Sequence, residues 1–127
     1  MSFFITLEGP EGAGKSTHLR FLQQELTRRG CDVVATREPG GTPLAEELRG
    51  VVKHHAGPEE LTALSELLLF VAARSQLVAN VIAPALRAGK TVICDRFMDS
   101  TTVYQGYGRG LELELIERLN RAAVGEF

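Results

Sequence analysis

The sequence predicts an α/β fold, a parallel sheet with flanking helices, on three observations. Short apolar runs rich in β-branched residues alternate with longer stretches of helical spacing. The first run passes through a glycine-rich turn straight into a helix. The third run ends on Asp95, which puts a carboxylate where open α/β sheets bind ligands, beyond the strand ends. Strands separated by helices pair in parallel through right-handed crossovers.

Taken in order, Phe3-Phe4-Ile5-Thr6-Leu7 is almost continuously apolar and reads as a strand buried on both faces. Gly9 to Gly14 is a turn. Lys15 to Arg29 carries Leu19, Leu22 and Leu26 at helical spacing, and Gly30 stops it. Residues 31–36 form the second strand, and Pro39-Gly40-Gly41 a turn. A short helix runs from Pro43 to about Val52, with Leu44, Leu48, Val51 and Val52 on one side.

His54 and His55 fall in a loop reaching to Pro58. No carboxylate–His–nucleophile set surrounds them, so they read, with His18, as solvated or packed. From Glu59 to about Ala88 the chain is helical, and Pro84, lacking a backbone donor, should kink or split that segment. Apolar residues cover more than one face there, which predicts deep burial or a subunit interface. Thr91–Cys94 is the third strand, ending at Asp95. A short helix over Ser100 to Gln105, a loop at Tyr107-Gly108-Arg109-Gly110 and an amphipathic helix from Leu111 to Ala123 complete the reading.

Composition narrows the function class. A length of 127 residues fits one domain spanning 1–127. Hydrophobic residues at 44% and charged residues at 24% exclude disordered and fibrous chains. The longest strictly apolar run, Leu67–Ala73, is far too short to cross a bilayer, and no basic region precedes an apolar stretch at the start. A soluble, cytoplasmic protein with no membrane partner is therefore expected. A net charge of −2, with no basic block longer than Arg28-Arg29, gives no footprint for nucleic acid. Cys31 and Cys94 lie in apolar runs and read as two reduced, buried thiols rather than a disulfide or metal site.

Gly9-Pro10-Glu11-Gly12-Ala13-Gly14-Lys15-Ser16 fits the G-x-x-x-x-G-K-[ST] pattern, and Thr17 follows. A chance match is expected roughly 0.003 times in a chain of this composition, so the pattern is specific before context is considered. Backbone N–H groups of such a loop point inward at phosphate oxygens, helped by the positive end of the following helix. Lys15 then reaches the β- and γ-phosphates of a nucleoside triphosphate, and the Ser16 hydroxyl ligates Mg²⁺. This is the loop of the P-loop NTPase fold. Asp95, at the end of the third strand, faces the same crevice and can hold a magnesium-bound water. Arg96, next in line, can clamp a phosphate with two parallel hydrogen bonds.

Three segments together resemble the bacterial thymidylate kinase family. They are Phe4 through Thr17, then Thr36-Arg37-Glu38-Pro39-Gly40-Gly41-Thr42, then Asp95-Arg96-Phe97 through Ser100 with Tyr104-Gln105-Gly106-Tyr107-Gly108-Arg109-Gly110. The likeness runs with matching spacing from about Phe3 to the end of the chain. The resemblance implies transfer of the ATP γ-phosphate to dTMP, giving dTDP for dTTP synthesis, with Mg²⁺ as cofactor and a homodimeric assembly. It implies that Phe70 stacks on thymine and Arg74 bonds a base carbonyl. It implies that Ser100 and Thr101 meet the base edge, that Tyr104 lies against the deoxyribose and that Gln105 helps position the nucleotide. It further implies that Arg49 and Arg96 hold the acceptor phosphate, that Glu11 and Glu38 face the sugar or the metal hydration shell, and that Asp95 acts through magnesium. Lys15, Asp95 and Arg96 are thus the expected catalytic set.

One departure carries information. Members of that family place a catalytic arginine either in the phosphate loop or in a lid further along. Pro10-Glu11-Gly12-Ala13 holds none, so the chain resembles the lid-arginine type. Three visible strands and an end at Phe127, before the lid, the last two strands and the adenine-contacting segment, predict the N-terminal part of a kinase of roughly 200 residues. A chain ending there is expected to keep much of the acceptor site and to transfer phosphate poorly. The competing readings are a kinase for another deoxynucleotide or nucleoside, and a non-catalytic nucleotide-binding fragment.

Overall fold

The computed structural model describes residues 2–9, 14–98, 106 and 108–125. Three parallel strands, β1 (Phe4–Leu7), β2 (Val33–Arg37) and β3 (Thr91–Asp95), form a sheet in the order β1-β3-β2. Helix α1 (Lys15–Arg28) joins β1 to β2. Between β2 and β3 come α2 (Pro43–His54), α3 (Ala63–Leu77), a wide π turn (Val78–Ile82) and α4 (Ala83–Arg87). Helix α5 (Leu113–Val124) follows β3. The α/β parallel architecture is the one expected.

Central β3 is sheathed on both faces: Thr91, Val92, Ile93 and Cys94 are all buried. The expectation that the first strand is buried on both faces is corrected. Among the described residues β1 has one strand neighbour, so it is only half-buried, and Phe3 lies outside it at 54% exposure. Cys31 is also only half-buried, because the second strand begins two residues later, at Val33. Both cysteines are free thiols.

Local chemistry sets the helix boundaries. Gly30 closes α1 in a left-handed conformation (φ 88°), and Cys31 N–H returns to Leu26 C=O at 3.0 Å, a Schellman ending. Thr42 caps α2 by accepting from Ala45 N–H at 3.1 Å, with Pro43 at the first helical position. The helix expected from Glu59 begins instead at Ala63. There the Thr62 hydroxyl accepts from Ser65 N–H at 3.1 Å, so cap chemistry overrides the hydropathy pattern that placed the start earlier. His54 belongs to the last turn of α2 rather than to a loop.

The α-helix is split ahead of Pro84, as expected, but by a π turn rather than by a loop. The backbone stays helical through that turn, which ends just before Pro84, and the wider turn accommodates a ring that would crowd the preceding carbonyls. The continuous helix Ala63–Arg87 is 25 residues long and apolar enough to span a membrane by composition, which the short Leu67–Ala73 run did not suggest. It is the core helix of the domain. Leu77, Val78, Ile82, Ala83 and Ala85 pack with Val92, Cys94 and Phe97, and the first half of the helix lies on α2 and α5. The final helix begins at Leu113, two residues later than the apolar pattern suggests. The helix expected over Ser100–Gln105 lies outside the described residues.

Candidate active site

Register brings the C-terminal ends of the three strands level: Leu7 and Arg37 both pair with Asp95. The next residue of each strand is charged. Arg96 N–H donates to Leu7 C=O at 2.8 Å, and Glu38 N–H donates to Asp95 C=O at 3.0 Å, so Glu8, Arg96 and Glu38 stand side by side.

Gly9 and Gly14 frame the phosphate loop; Pro10, Glu11, Gly12 and Ala13 lie outside the described residues. Gly14 has φ 82° and precedes α1 with no side-chain cap, so the helix start is left open for an anion. Ser16 and Thr17, in the first turn, are exposed. Lys15 Nζ stands 4.0 Å from Asp95 Oδ1, close enough for charge attraction and too far for a hydrogen bond. That Oδ1 is buried and has no hydrogen-bond partner. A carboxylate oxygen without a hydrogen bond, 4.0 Å from the Lys15 ammonium, and an exposed hydroxyl on the next residue, Ser16, fit a hydrated divalent cation. Among the described residues no group of three or more His, Cys, Asp or Glu could hold a metal alone. Such an ion would draw its remaining ligands from phosphate and water, as magnesium does.

Arg96 occupies the left-handed region (φ 71°), which costs a side-chain-bearing residue about 1–2 kcal/mol. The turn around it is over-determined. Besides Arg96 N–H, the Cys94 thiol donates to Arg96 C=O at 3.0 Å, and Phe97 N–H donates to Glu8 Oε1 at 2.7 Å. Burial pushes the Cys94 thiol far up, with nearby carboxylates adding to the push, so it serves as a neutral donor and not as a nucleophile.

A second cluster lies at the α3 side. Arg74, 1% exposed, donates from Nε to Glu38 Oε1 and Oε2 at 2.7 and 3.0 Å, and its Nη2 stands 2.6 Å from Oε1. Its Nη1 donates to Asn120 Oδ1 on α5, and the Phe97 ring lies 5.3 Å from the guanidinium carbon. Burial raises the Glu38 carboxyl above the ordinary glutamate value, and the Arg74 hydrogen bonds pull against that rise. The Glu38–Pro39 peptide is cis, and Arg49 Nη1 donates to Pro39 C=O at 2.8 Å, which holds Arg49 over the same turn. Gly41 is needed there: a Cβ would stand 2.3 Å from Thr36 Oγ1 and 2.6 Å from Leu77 Cδ1. Phe70, one turn before Arg74 on α3, is half-buried.

Of the sequence-derived residues, Lys15, Ser16, Asp95, Arg96 and Glu38 thus gather at the strand ends, with Arg74 joined to Glu38 and Arg49 to Pro39. Both Glu38 oxygens are engaged by Arg74. Ser100, Thr101, Tyr104 and Gln105 lie outside the described residues. Sequence reasoning assigned no role to Glu8, Phe97 or Asn120. For Asn120 a signal existed: a polar residue one turn beyond Ile116, on the buried face of an amphipathic helix. An open trough of about 500 Å³ runs past Phe4, Thr6, Leu86 and Met98, and none of Lys15, Asp95, Arg96 or Arg74 lines it.

Comparison with known proteins identifies the family to which this fold and sequence are similar. The family described as Thymidylate kinase matches residues 7–126. The chain is 54% identical over 125 residues to the thymidylate kinase of Geobacter sp. (strain M21), covering 98% of this chain and 55% of that protein. Against the thymidylate kinase of Synechococcus sp. (strain JA-3-3Ab) it is 57% identical over 122 residues, covering 96% and 58%. The crystal structure of thymidylate kinase from Ehrlichia chaffeensis superposes with a TM-score of 0.90 at 43% identity, covering 99% of this chain and 71% of that one. The chain therefore spans just over half the length of these curated relatives.

Proposed function

The chain belongs to the thymidylate kinase family, and on that footing we propose that the protein transfers the γ-phosphoryl group of ATP to dTMP, giving ADP and dTDP. The observation that carries the reading is the buried, unpartnered Asp95 Oδ1 4.0 Å from Lys15 Nζ, beside an open helix start. Two opposite charges kept apart at the end of a parallel sheet suit a polyphosphate and its cation better than they suit each other.

In this reading the segment Gly9–Thr17 holds the donor phosphates and Lys15 spreads the charge that develops on the γ-phosphoryl oxygens. Ser16, and Asp95 through water, would hold Mg²⁺, which when bound would supply charge neutralisation and orientation of the phosphates. An oxygen of the dTMP phosphate attacks the γ-phosphorus, and the electrons of the breaking bond leave on the ADP β-phosphate. The attacking oxygen is already anionic, so no strong general base is required, and positioning dominates. Arg96, fixed by its left-handed turn, and Arg49 hold the acceptor phosphate. Phe70 stacks on the base, Arg74 donates to a base carbonyl, and Glu38 serves by holding Arg74. Glu11, Ser100, Thr101, Tyr104 and Gln105 complete the acceptor contacts.

A single kinase domain, a cytoplasmic setting and a homodimer without nucleic-acid or membrane partners go with this reading. Leu64 and Leu68, exposed one turn apart on α3, favour the dimer. The test is ADP release measured with dTMP, dCMP, AMP, GMP and thymidine as acceptors. Preferred turnover of dTMP is expected; equal turnover of AMP or thymidine would overturn the assignment.

A further inference from the structure

We propose that Glu8 is a positioning residue for Arg96, acting through the backbone of the turn that follows β3. The inference rests on the functional reading above, in which Arg96 holds the acceptor phosphate. Among the described residues Arg96 is the one non-glycine residue with a positive φ, at 71°. A side chain disfavours that conformation by about five- to thirtyfold, so contacts around the turn have to select it. The same contacts decide where the Arg96 side chain starts, because its Cα–Cβ direction follows from the backbone there.

The two peptide planes that meet at the Arg96 Cα are both held. The plane entering it is fixed where Arg96 N–H donates to Leu7 C=O at 2.8 Å. The plane leaving it is held at both ends. Its carbonyl, that of Arg96, accepts from the Cys94 thiol at 3.0 Å. Its N–H, that of Phe97, donates to Glu8 Oε1 at 2.7 Å, a short, charge-assisted hydrogen bond. A rigid plane tied at carbonyl and N–H has little freedom to rotate, and that rotation is the ψ angle of Arg96.

The first strand grips Phe97 twice. Besides the tie to Glu8, the Phe97 ring meets the Phe4 ring edge-on at 5.0 Å with the planes 89° apart, and Phe97 is 4% exposed. Phe4, Thr6 and Glu8 alternate along the chain and line one trough, so both grips come from one face. Charge also favours a task for Glu8. It stands beside Arg96, where a carboxylate opposes an incoming phosphate, so its place there is explained by the tie to Phe97 and not by attraction for the ligand.

Titration calorimetry of dTMP and of thymidine into the full chain tests this, with wild type, E8Q and E8A. Both variants lose the carboxylate charge, but only E8Q keeps an oxygen that can accept from Phe97 N–H. Affinity for dTMP in E8A is expected to fall about fivefold below that in E8Q, the scale of one hydrogen bond. Thymidine brings no phosphate to Arg96, so its affinity should be the same in the two variants. The Cα and Cβ chemical shifts of Arg96 report the sign of its φ. They should stay at wild-type values in E8Q and move towards right-handed values in E8A. If E8A does not fold, E8L, of similar bulk and with no acceptor, replaces it. Equal dTMP affinity in E8A and E8Q overturns the proposal. Equal losses for dTMP and thymidine overturn it as well, since Glu8 would then serve packing alone, and so do Arg96 shifts that do not move in E8A. A wild type that binds thymidine as tightly as dTMP refutes instead the functional reading of Arg96, and the shifts then judge the tie by themselves.

Discussion

The phosphate-loop end and the Arg74 wall share one sheet edge and are built on opposite terms. At the loop, Lys15 and Asp95 face each other at 4.0 Å and one carboxylate oxygen has no hydrogen-bond partner. At the wall, Arg74 meets Glu38 at 2.6–3.0 Å and reaches Asn120 as well. The first arrangement leaves one carboxylate oxygen without a hydrogen bond, which suits foreign charge. The second is finished before any ligand arrives. Electrostatic preorganisation therefore comes in two forms here, a held-open charge pair and a locked donor.

The largest effect expected from this contrast is on stability. Arg74→Met strands the Glu38 carboxylate in the interior and should cost about 3–5 kcal/mol in urea unfolding. Adding Glu38→Leu should recover a large part of that, because apolar replacement of both partners removes the uncompensated charge. If Arg74→Met destabilises no more than Lys15→Ala, the two regions do not differ as described.

Lys15→Ala should do the reverse. Unliganded stability is expected to fall far less than in Arg74→Met, because Lys15 attracts Asp95 across 4.0 Å without a hydrogen bond to it. ATP·Mg²⁺ binding by calorimetry should weaken by about 1.5–3 kcal/mol, the worth of a charged hydrogen bond. Asp95→Asn sharpens the point further. Losing the Lys15 attraction offsets the relief of an oxygen without a hydrogen bond, so ligand-free stability should change by less than about 1 kcal/mol while phosphate transfer falls.

The smallest effect lies between the two regions. Arg37 and Gly41 N–H lower the Glu46 carboxyl to about 2 from its ordinary 4.5, the Arg37 hydrogen bonds contributing most. A carboxyl lowered on folding stabilises the fold above its unfolded value and loses that contribution as pH falls through its folded value. The stability gap between wild type and Glu46→Gln should therefore be level above about pH 5 and close as pH falls from 4.5 towards 2. Both side chains are largely exposed, so the gap itself should stay below about 1 kcal/mol. A gap that widens on acidification would contradict the assigned cause.

Much of this was legible in the residues alone. The phosphate loop is written in consecutive positions because backbone N–H groups must follow one another around a phosphate. Asp95 and Arg96 were legible because a buried apolar run announces where its strand ends. Asn120 was legible only as a polar residue on a buried helix face, since its contact with Arg74 is created by the packing of α5 on α3. Glu38 was flagged by its motif, but its commitment to Arg74 depends on the distant α3. The boundary at Ala63 was missed because hydropathy cannot weigh a threonine cap, and the half-buried state of β1 because apolar content does not say how many neighbours a strand has.

The shared register of the strand ends has a practical consequence for sequence change. Adjacent strands stand about 4.8 Å apart, so Glu8, Arg96 and Glu38 form a comb whose teeth alternate negative, positive, negative. Inserting or deleting one residue near the end of any strand would move one tooth by about 3.3 Å and turn its side chain to the other face of the sheet. At the opposite rim the charges are solvated: Lys90 Nζ and Asp32 Oδ2 form an exposed ion pair at 3.5 Å, and Gly30 and Gly89 close their helices in open space. Length variation should accordingly be absorbed at that exposed rim, around residues 29–32 and 88–90, while the rim of Glu8, Arg96 and Glu38 keeps its count.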